Sequence, residues 1–286
     1  MNKIIKKEIL AEGIKLIEVE APRVAEKALP GQFVVLRIDE EGERIPLTIA
    51  DKDPEKGTIT LIFQEAGATT KFLGTLKAGD AILNLLGPLG HPTNIAKLGN
   101  VVVVGGGVGI AEIVPIIKAF REAGNKVISI IGARCKDMLI LDEHIKAESD
   151  ELHITTDDGT CGRKGFVSDV LKELIESQLQ IDLVYAVGPV PMMEVVTKIT
   201  KPANIKTLVS LNPIMLDATG MCGVCRVVVG GKTLFACVDG PEFDGHLVDF
   251  QDLRSRLEMY KDKEKIALEK VEHKCKLENI KGTSSK

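Results

Sequence analysis

The run Asn100-Val-Val-Val-Val-Gly-Gly-Gly-Val-Gly-Ile-Ala-Glu-Ile-Val-Pro-Ile-Ile-Lys-Ala-Phe120 decides the fold. Four consecutive valines leave the strand no polar face, so it belongs in a sheet covered on both sides, the habit of parallel sheets. Ile110, Ile113, Val114 and Ile117 then recur at helical spacing. Between strand and helix lie Gly105, Gly106, Gly107 and Gly109. This order suits a diphosphate, because a helix N-terminus presents free amides and glycine lets a ligand approach the backbone. The strict Gly-x-Gly-x-x-Gly spacing is not met: Ile110 and Glu112 hold the third-glycine positions of the two possible registers. A tight turn without a ligand is the alternative.

Towards the C-terminus the alternation continues. Strands are expected at Lys126–Ile131, Glu151–Thr155 and Leu183–Val187, helices at Met138–Ala147, Phe166–Ser177 and Met192–Ile199, and a last strand region within Lys201–Ser210. Strands alternating with helices make residues 96–210 an α/β domain with a parallel sheet, whose ligand belongs at the carboxyl ends of the strands. Gly105–Gly109, Gly132-Ala133-Arg134, Thr156-Asp157-Asp158-Gly159 and Gly188-Pro189 gather there.

Towards the N-terminus, residues 1–95 carry short β-rich runs separated by turn signals: Lys15–Glu20, Gln32–Ile38, Gly57–Phe63 and Asp80–Leu86. Period-two alternation with regular Gly and Pro punctuation predicts a small antiparallel β barrel, with a mouth for a planar ligand. Two stretches in it bear chemistry. Arg44-Ile-Pro-Leu-Thr48 brings a cation, a rigid proline and a hydroxyl together, and Gly67-Ala-Thr69-Thr70 precedes a helix-like run that suits an anion. A surface ion pair for Arg44 and a simple turn and N-cap for Gly67 and Thr69 are the plainer readings.

Beyond residue 211, Asp217-Ala-Thr-Gly-Met-Cys222-Gly-Val-Cys225 and Cys237 give Asp-x4-Cys-x2-Cys-x11-Cys. A plant-type 2Fe-2S site uses Cys-x4-Cys-x2-Cys and a distant fourth cysteine, and Asp217 stands in the first slot. Gly220 and Gly223 suit a loop wrapped closely around an inorganic core. A zinc site of three thiolates and one carboxylate, or buried cysteines without metal, are the alternatives. Asp217 has its own alternative as a loop or N-cap aspartate. Arg226–Val229 and Lys232–Cys237 read as a hairpin through Gly230-Gly231, which returns Cys237 towards Cys222 and Cys225. Residues 211–250 therefore form the cluster loop and hairpin, and 251–286 a charged helical extension with a frayed tail.

Composition bounds the rest. The 286-residue chain is 44% hydrophobic and carries a formal net charge of −4, so it can bury cores and offers nucleic acid no basic field. The charged opening lacks the apolar run of a signal peptide, and no apolar run approaches a membrane span. A cytoplasmic protein is expected, in which clustered cysteines are metal ligands rather than disulfides. Cys135, Cys161 and Cys275 read as ordinary thiols. A barrel, a dinucleotide domain and an iron-sulfur loop in this order make an electron relay. A two-electron hydride donor cannot feed a one-electron centre directly, so a flavin is the converter between them. The alternative from another class is a zinc-stabilised nucleotide-binding regulatory module.

Three stretches carry a resemblance. Arg44-Ile-Pro-Leu-Thr48 resembles the flavin motif of the ferredoxin-NADP reductase superfamily, Gly107-Val-Gly-Ile-Ala111 its nicotinamide-domain motif, and Tyr185-Ala-Val-Gly-Pro-Val-Pro-Met-Met193 its terminal strand and loop. With the C-terminal cysteines, the chain is similar to the branch holding the electron-transfer subunit of dihydroorotate dehydrogenase B and the small subunit of NADH-dependent reduced ferredoxin:NADP oxidoreductase. The former carries four cysteines, whereas an aspartate in the first slot resembles the latter. Glu112 departs from the proline common at that point of the superfamily.

The resemblance implies FAD in the barrel. Arg44 would meet its diphosphate, Pro46, Leu47 and Phe63 would pack near the ring, Thr48 would lie at its reactive nitrogen as the catalytic residue, and Gly67, Thr69 and Thr70 would hold the pyrophosphate. It also implies NAD(H) at Gly106, Gly107, Gly109, Asp157, Asp158, Gly188 and Met192. Arg134 either faces a 2′-phosphate or caps a strand, which leaves NADH against NADPH open. Asp217, Cys222, Cys225 and Cys237 would bind the 2Fe-2S cluster. The implied partner is a larger subunit with a second flavin and 4Fe-4S clusters, in a complex that couples NADH, NADPH and ferredoxin by electron bifurcation. The same relay serving dihydroorotate dehydrogenase B is the rival.

Overall fold

The structure, a computed structural model, describes residues 1–269. Strands β1 (Asn2–Ala11), β2 (Ile14–Glu20), β3 (Phe33–Arg37), β4 (Ile45–Asp53), β5 (Thr58–Gln64), β6 (Ala81–Ile82) and β7 (Asn84–Leu89) form one antiparallel sheet in the order β6-β1-β2-β5-β4-β3-β7. Helices α1 (Pro22–Lys27) and α2 (Ala68–Leu73) lie in its connections. The run expected as one strand at Asp80–Leu86 is divided: β6 pairs with β1, the Leu83 amide donates to the Ile38 carbonyl, and β7 pairs with β3. One length of chain thereby serves both ends of the sheet and nearly closes the barrel. Strand β1 went unread in the sequence, because most of its side chains face solvent and only Ile4 and Ala11 are buried. Lysines on a strand near a sheet edge are a common protection against mispairing.

The second sheet is β11-β10-β9-β8-β12-β13-β16. Its parallel strands are β8 (Asn100–Gly106), β9 (Lys126–Ala133), β10 (Glu151–Thr156), β11 (Arg163–Lys164), β12 (Leu183–Val187) and β13 (Thr207–Ser210). Helices α3 (Gly109–Glu122), α4 (Asp142–Glu148), α5 (Val167–Glu176) and α6 (Val190–Thr200) connect them. Val101 to Val104 are fully buried, as a strand covered on both faces requires. The chain runs outward from β8 through β9 and β10, then returns to place β12 on the other side of β8. Such a reversal opens a crevice at the carboxyl ends of β8 and β12. The helix expected at Met138–Ala147 is corrected to a 3-10 turn at Lys136–Met138 and the shorter α4. Leu141 lies between them in the left-handed region, at φ 57°, which interrupts a continuous helix.

The C-terminal segment is built into the same core. Strands β14 (Arg226–Val229) and β15 (Lys232–Phe235) form the expected hairpin through Gly230-Gly231. Strand β16 (Glu242–Asp244) adds antiparallel to β13, an edge that the sequence did not announce. Helix α7 (Phe250–Glu258) starts at Asp249, whose carboxylate accepts from the Gln251 and Asp252 amides. Its Arg254 pairs with Glu194 of α6. Residues 261–269 are helical too, while Cys275 and the expected frayed tail lie outside the described residues. Among the described residues, no helix is long and apolar enough to cross a membrane.

One polar knot ties three parts of the chain. The buried Tyr185 of β12 donates its hydroxyl to Glu242 of β16 at 2.7 Å, and Thr93, beyond the last barrel strand, donates to the same carboxylate oxygen. Burial raises the Glu242 carboxyl above its ordinary range. Removing the phenol leaves this carboxylate one donor short. Tyr185→Phe is expected to cost about 1–2 kcal/mol, read as a lower urea midpoint at unchanged slope.

Candidate functional site

The barrel and the parallel sheet meet at a cleft of about 850 Å³, within the size range of cofactor sites. From the barrel it is lined by Pro46, Leu47 and Thr48 of β4, Phe63 of β5, and Thr70 of α2. The parallel sheet contributes Gly106, Gly107 and Gly109 at the end of β8, Arg134 and Asp157 beyond β9 and β10, and Gly188 and Met192 beyond β12. The crevice made by the strand reversal is thus one half of the cleft.

The glycines of this turn do different work. A side chain on Gly109 would meet the Val187 carbonyl oxygen at 2.8 Å, so this glycine lets α3 sit against the end of β12. Gly107, at φ +57°, would place a side chain in open space and leaves the backbone accessible from the cleft. Glycine at the first position serves packing, and at the second it serves conformation and access.

Where the two halves touch, the Thr48 hydroxyl of β4 donates to Oε2 of Glu112 on α3 at 3.0 Å. Burial dominates the Glu112 carboxyl and pushes it up to about 7, against the smaller opposing effect of the Thr48 hydrogen bond. Part of its surface remains open to the cleft, which it lines. A carboxyl poised near neutrality inside a cleft is suited to proton exchange.

Asp217, Cys222, Cys225 and Cys237 come together as two pairs. Asp217 accepts from the Thr219 amide at 3.0 Å. That amide, followed by the Cys222 thiol, holds the carboxylate below its ordinary range. Cys225 and Cys237 are both buried and share a hydrogen bond; burial and this neighbour push the Cys237 thiol up to about 12. The Gly220 amide acts on Cys237 in the opposite sense. Ala218, Gly220 and Gly223 all have positive φ, which curls the loop that carries Asp217, Cys222 and Cys225. Among the described residues, no three His, Cys, Asp or Glu side chains converge on one single-ion position.

Of the residues singled out in the sequence, Arg44, Gly67, Thr69 and Asp158 lie outside the lining of the cleft. Arg44 is exposed, Thr69 donates to Glu43 at 3.2 Å, and the Asp158 carboxylate accepts from the Thr160 amide and hydroxyl. The sequence reading gave no role to Phe166, Met215 or Pro241, which line the cleft. Glu112 was read only as a departure from a motif. A lone carboxylate among Ile110, Ala111, Ile113 and Val114 was the available signal.

Residues 103–198 match the oxidoreductase NAD-binding domain family, and residues 212–249 match the iron-sulfur cluster binding domain of dihydroorotate dehydrogenase B. A Thermotoga maritima protein described as a dihydroorotate dehydrogenase B (NAD(+)) electron transfer subunit homolog is 48% identical over 270 residues, covering 94% of this chain and 95% of that protein. The chain belongs to this family of electron-transfer subunits. Among solved structures, a chain of the NADH-dependent reduced ferredoxin-NADP oxidoreductase, studied for flavin-based electron bifurcation, is 46% identical with a TM-score of 0.90. It covers 94% of this chain and 97% of that one. Phthalate dioxygenase reductase, at 17% identity and a TM-score of 0.57 over 80% of this chain and 86% of that one, shares the fold. The family's equipment fits FAD, an iron-sulfur cluster and NAD(H). An open cleft with an accessible glycine turn and a loop bearing three cysteines and a carboxylate are compatible with that set.

Glu112 generates a prediction with a definite sign. Its folded value lies above the unfolded one, so its contribution is fully present below about 4.5 and is lost as pH rises through about 7. Glu112→Gln removes this loss. In thermal melts of the cofactor-free chain, the variant is expected to gain on the wild type by on the order of 2 kcal/mol between these limits, allowing for the part of the carboxyl open to the cleft.

Proposed function

We propose that this chain oxidises NADH, or reduces NAD, through FAD held in the barrel half of the cleft, and relays electrons by a 2Fe-2S cluster to a larger partner subunit. The observation that carries this reading is the shared cleft: the barrel strand bearing Thr48 and the glycine turn after β8 line one cavity. A bound flavin supplies the conversion of a hydride into single electrons. The protein's part is placement. Pro46, Leu47 and Phe63 offer apolar contacts to a planar ring, Thr48 a hydroxyl at its edge, and Thr70 a hydroxyl for the diphosphate. Arg44, Gly67 and Thr69 would complete the diphosphate side. Gly106, Gly107 and Gly109 admit the nicotinamide nucleotide, with Gly188 and Met192 as its wall. Asp157 and Asp158 would line its path, and Arg134 would face a 2′-phosphate or cap the strand end.

Asp217 with Cys222, and Cys225 with Cys237, offer two ligands to each of two irons. That arrangement supports a 2Fe-2S cluster over zinc, which needs its ligands around one ion. Besides these, the described cysteines are Cys135 and Cys161, in the loops after β9 and β10, fewer than the four thiolates a 4Fe-4S cluster takes. A partner carrying 4Fe-4S clusters and a second flavin accordingly supplies the rest of the relay. Asp217 in the first slot favours a complex that couples NADH, NADPH and ferredoxin by bifurcation. Service to a dihydroorotate-oxidising flavoprotein is the second reading, favoured by the likeness to the Thermotoga maritima homolog.

Purification with the natural neighbours under anaerobic, iron-replete conditions tests the proposal. Flavin, together with iron and acid-labile sulfide in equal amounts and no zinc, is the expected composition; colourless, zinc-containing material would overturn it. Co-purification with a dihydroorotate-oxidising flavoprotein would select the second reading. Asp217→Cys is expected to shift the cluster midpoint potential and its EPR signal, since a hard oxygen ligand is exchanged for a soft thiolate. An unchanged potential and spectrum would remove Asp217 from the ligand set.

A further inference from the structure

We infer that Arg256 of α7 is a positioning residue for the iron-sulfur site, clamping the turn between Cys222 and Cys225 and holding a fixed positive charge beside it. The inference rests on the proposed 2Fe-2S cluster. It deepens that reading by naming a residue outside the ligand set that governs how firmly iron is held and at what potential.

The hairpin and helix α7 hold the ligand turn at different points. The Ala236 amide of the hairpin donates to the Cys225 carbonyl at 3.1 Å and fixes the end of the turn. Its middle is held from α7, where Arg256 Nη2 donates to the Val224 carbonyl at 2.9 Å across thirty-two positions of chain. Arg256 follows Leu253 by three positions and precedes Leu257. It therefore leaves the helix beside the apolar stripe of Phe250, Leu253 and Leu257, which packs into the core. The helix is itself fixed, by its Asp249 cap and by the pairing of Arg254 with Glu194 of α6. The clamp thus joins the turn to a packed element.

A cation in the last turn of a helix needs no further role, since it meets the negative end of the helix dipole. Two observations set Arg256 apart. It shares with Cys222, Gly223 and Val224 the wall of a cavity of about 80 Å³, too small for a nucleotide or a flavin. Its Nε is also buried and meets no acceptor among the described residues. A buried donor without a partner is costly, and metal ligation turns Cys222, on the same cavity wall, from a thiol into a thiolate acceptor. The charge then bears on the potential. Reduction adds one negative charge to a 2Fe-2S cluster, so a neighbouring cation favours the reduced state and raises the midpoint. Arg226, 3.5 Å from the Gly223 carbonyl, is exposed, and water and salt screen it; Arg256 is partly buried and is screened less.

The test compares Arg256→Met, Arg256→Lys and Arg254→Met in the full-length chain. Arg254→Met loosens α7 at its contact with α6 without touching the turn, and so controls for a purely structural effect. In the cofactor-free chain, amide hydrogen exchange across residues 222–226 is expected to quicken in Arg256→Met and to match the wild type in Arg254→Met. In anaerobically purified holoprotein, an EPR-monitored redox titration is expected to place the cluster midpoint of Arg256→Met below that of the wild type. Arg256→Lys should fall between them, because it keeps the charge and loses the planar fork. Iron release to a chelator is expected to be about tenfold faster in Arg256→Met, at the low end of what outer-shell substitutions cost a metal site. Unchanged exchange at the turn, an unchanged midpoint in Arg256→Met, or equal effects in Arg254→Met would overturn the inference while leaving the 2Fe-2S reading intact. Wild-type material without iron and acid-labile sulfide would overturn that reading and the inference with it. Should Arg256→Met fail to fold, Arg256→Gln decides, since its amide can still donate to Val224 without the charge: a lowered midpoint supports the inference and an unchanged one overturns it.

Discussion

The contact between helix α3 and the barrel is the constraint on which the rest depends. Ile110, Ile113, Ile117 and Phe120 share a buried cluster with Val101, Val103 and Val127 of the parallel sheet, and the same cluster takes in Ala11, Ile14, Ala50 and Ile62 of the barrel. One helix therefore closes the face of one sheet while joining it to the other. Its N-terminal turn is left at the seam, where strand ends and the barrel wall leave a cavity instead of a core. Burial of apolar surface on both sides fixes the two walls of the cleft relative to each other.

The same economy extends to the C-terminal loop. Cys225, Ala236, Cys237 and Phe243 share a second buried cluster with Phe33 and Val35 of the barrel and Val102, Val104 and Val184 of the parallel sheet. The loop that holds the thiolates is thus seated on the core that also carries the cleft, not hung from a linker. For electron transfer this matters physically, because relative positions held by packed side chains are more rigid than positions held by a connecting segment. The knot of Thr93, Tyr185 and Glu242 adds a polar clasp between the same three parts.

Much of this was legible in the sequence. The valine run and its glycine turn predicted a buried parallel strand, and Leu183–Val187 and the Gly230-Gly231 hairpin fell where their patterns put them. The misses have particular causes. Strand β1 hides behind three lysines and a glutamate, since only two of its side chains are buried. Strand β16 is three residues long and owes its form to β13, a neighbour more than thirty positions away along the chain. The interrupted segment before α4 hinges on Leu141, whose left-handed backbone no leucine propensity announces.

By itself the sequence determined the kinds of element and the chemistry on offer: a barrel, a glycine turn after a buried strand, and an aspartate with three cysteines at ligand spacing. These follow from periodicity and from which side chains bind metal or tolerate unusual backbone, both local properties. Only the tertiary structure decided that Thr48 and Glu112, sixty-four residues apart, share a hydrogen bond, and that Cys237 comes back to meet Cys225 while Asp217 meets Cys222. The ionisation of Glu112 belongs to the same class. A carboxyl is ordinary on an exposed helix and titrates near neutrality only when distant segments remove the water around it.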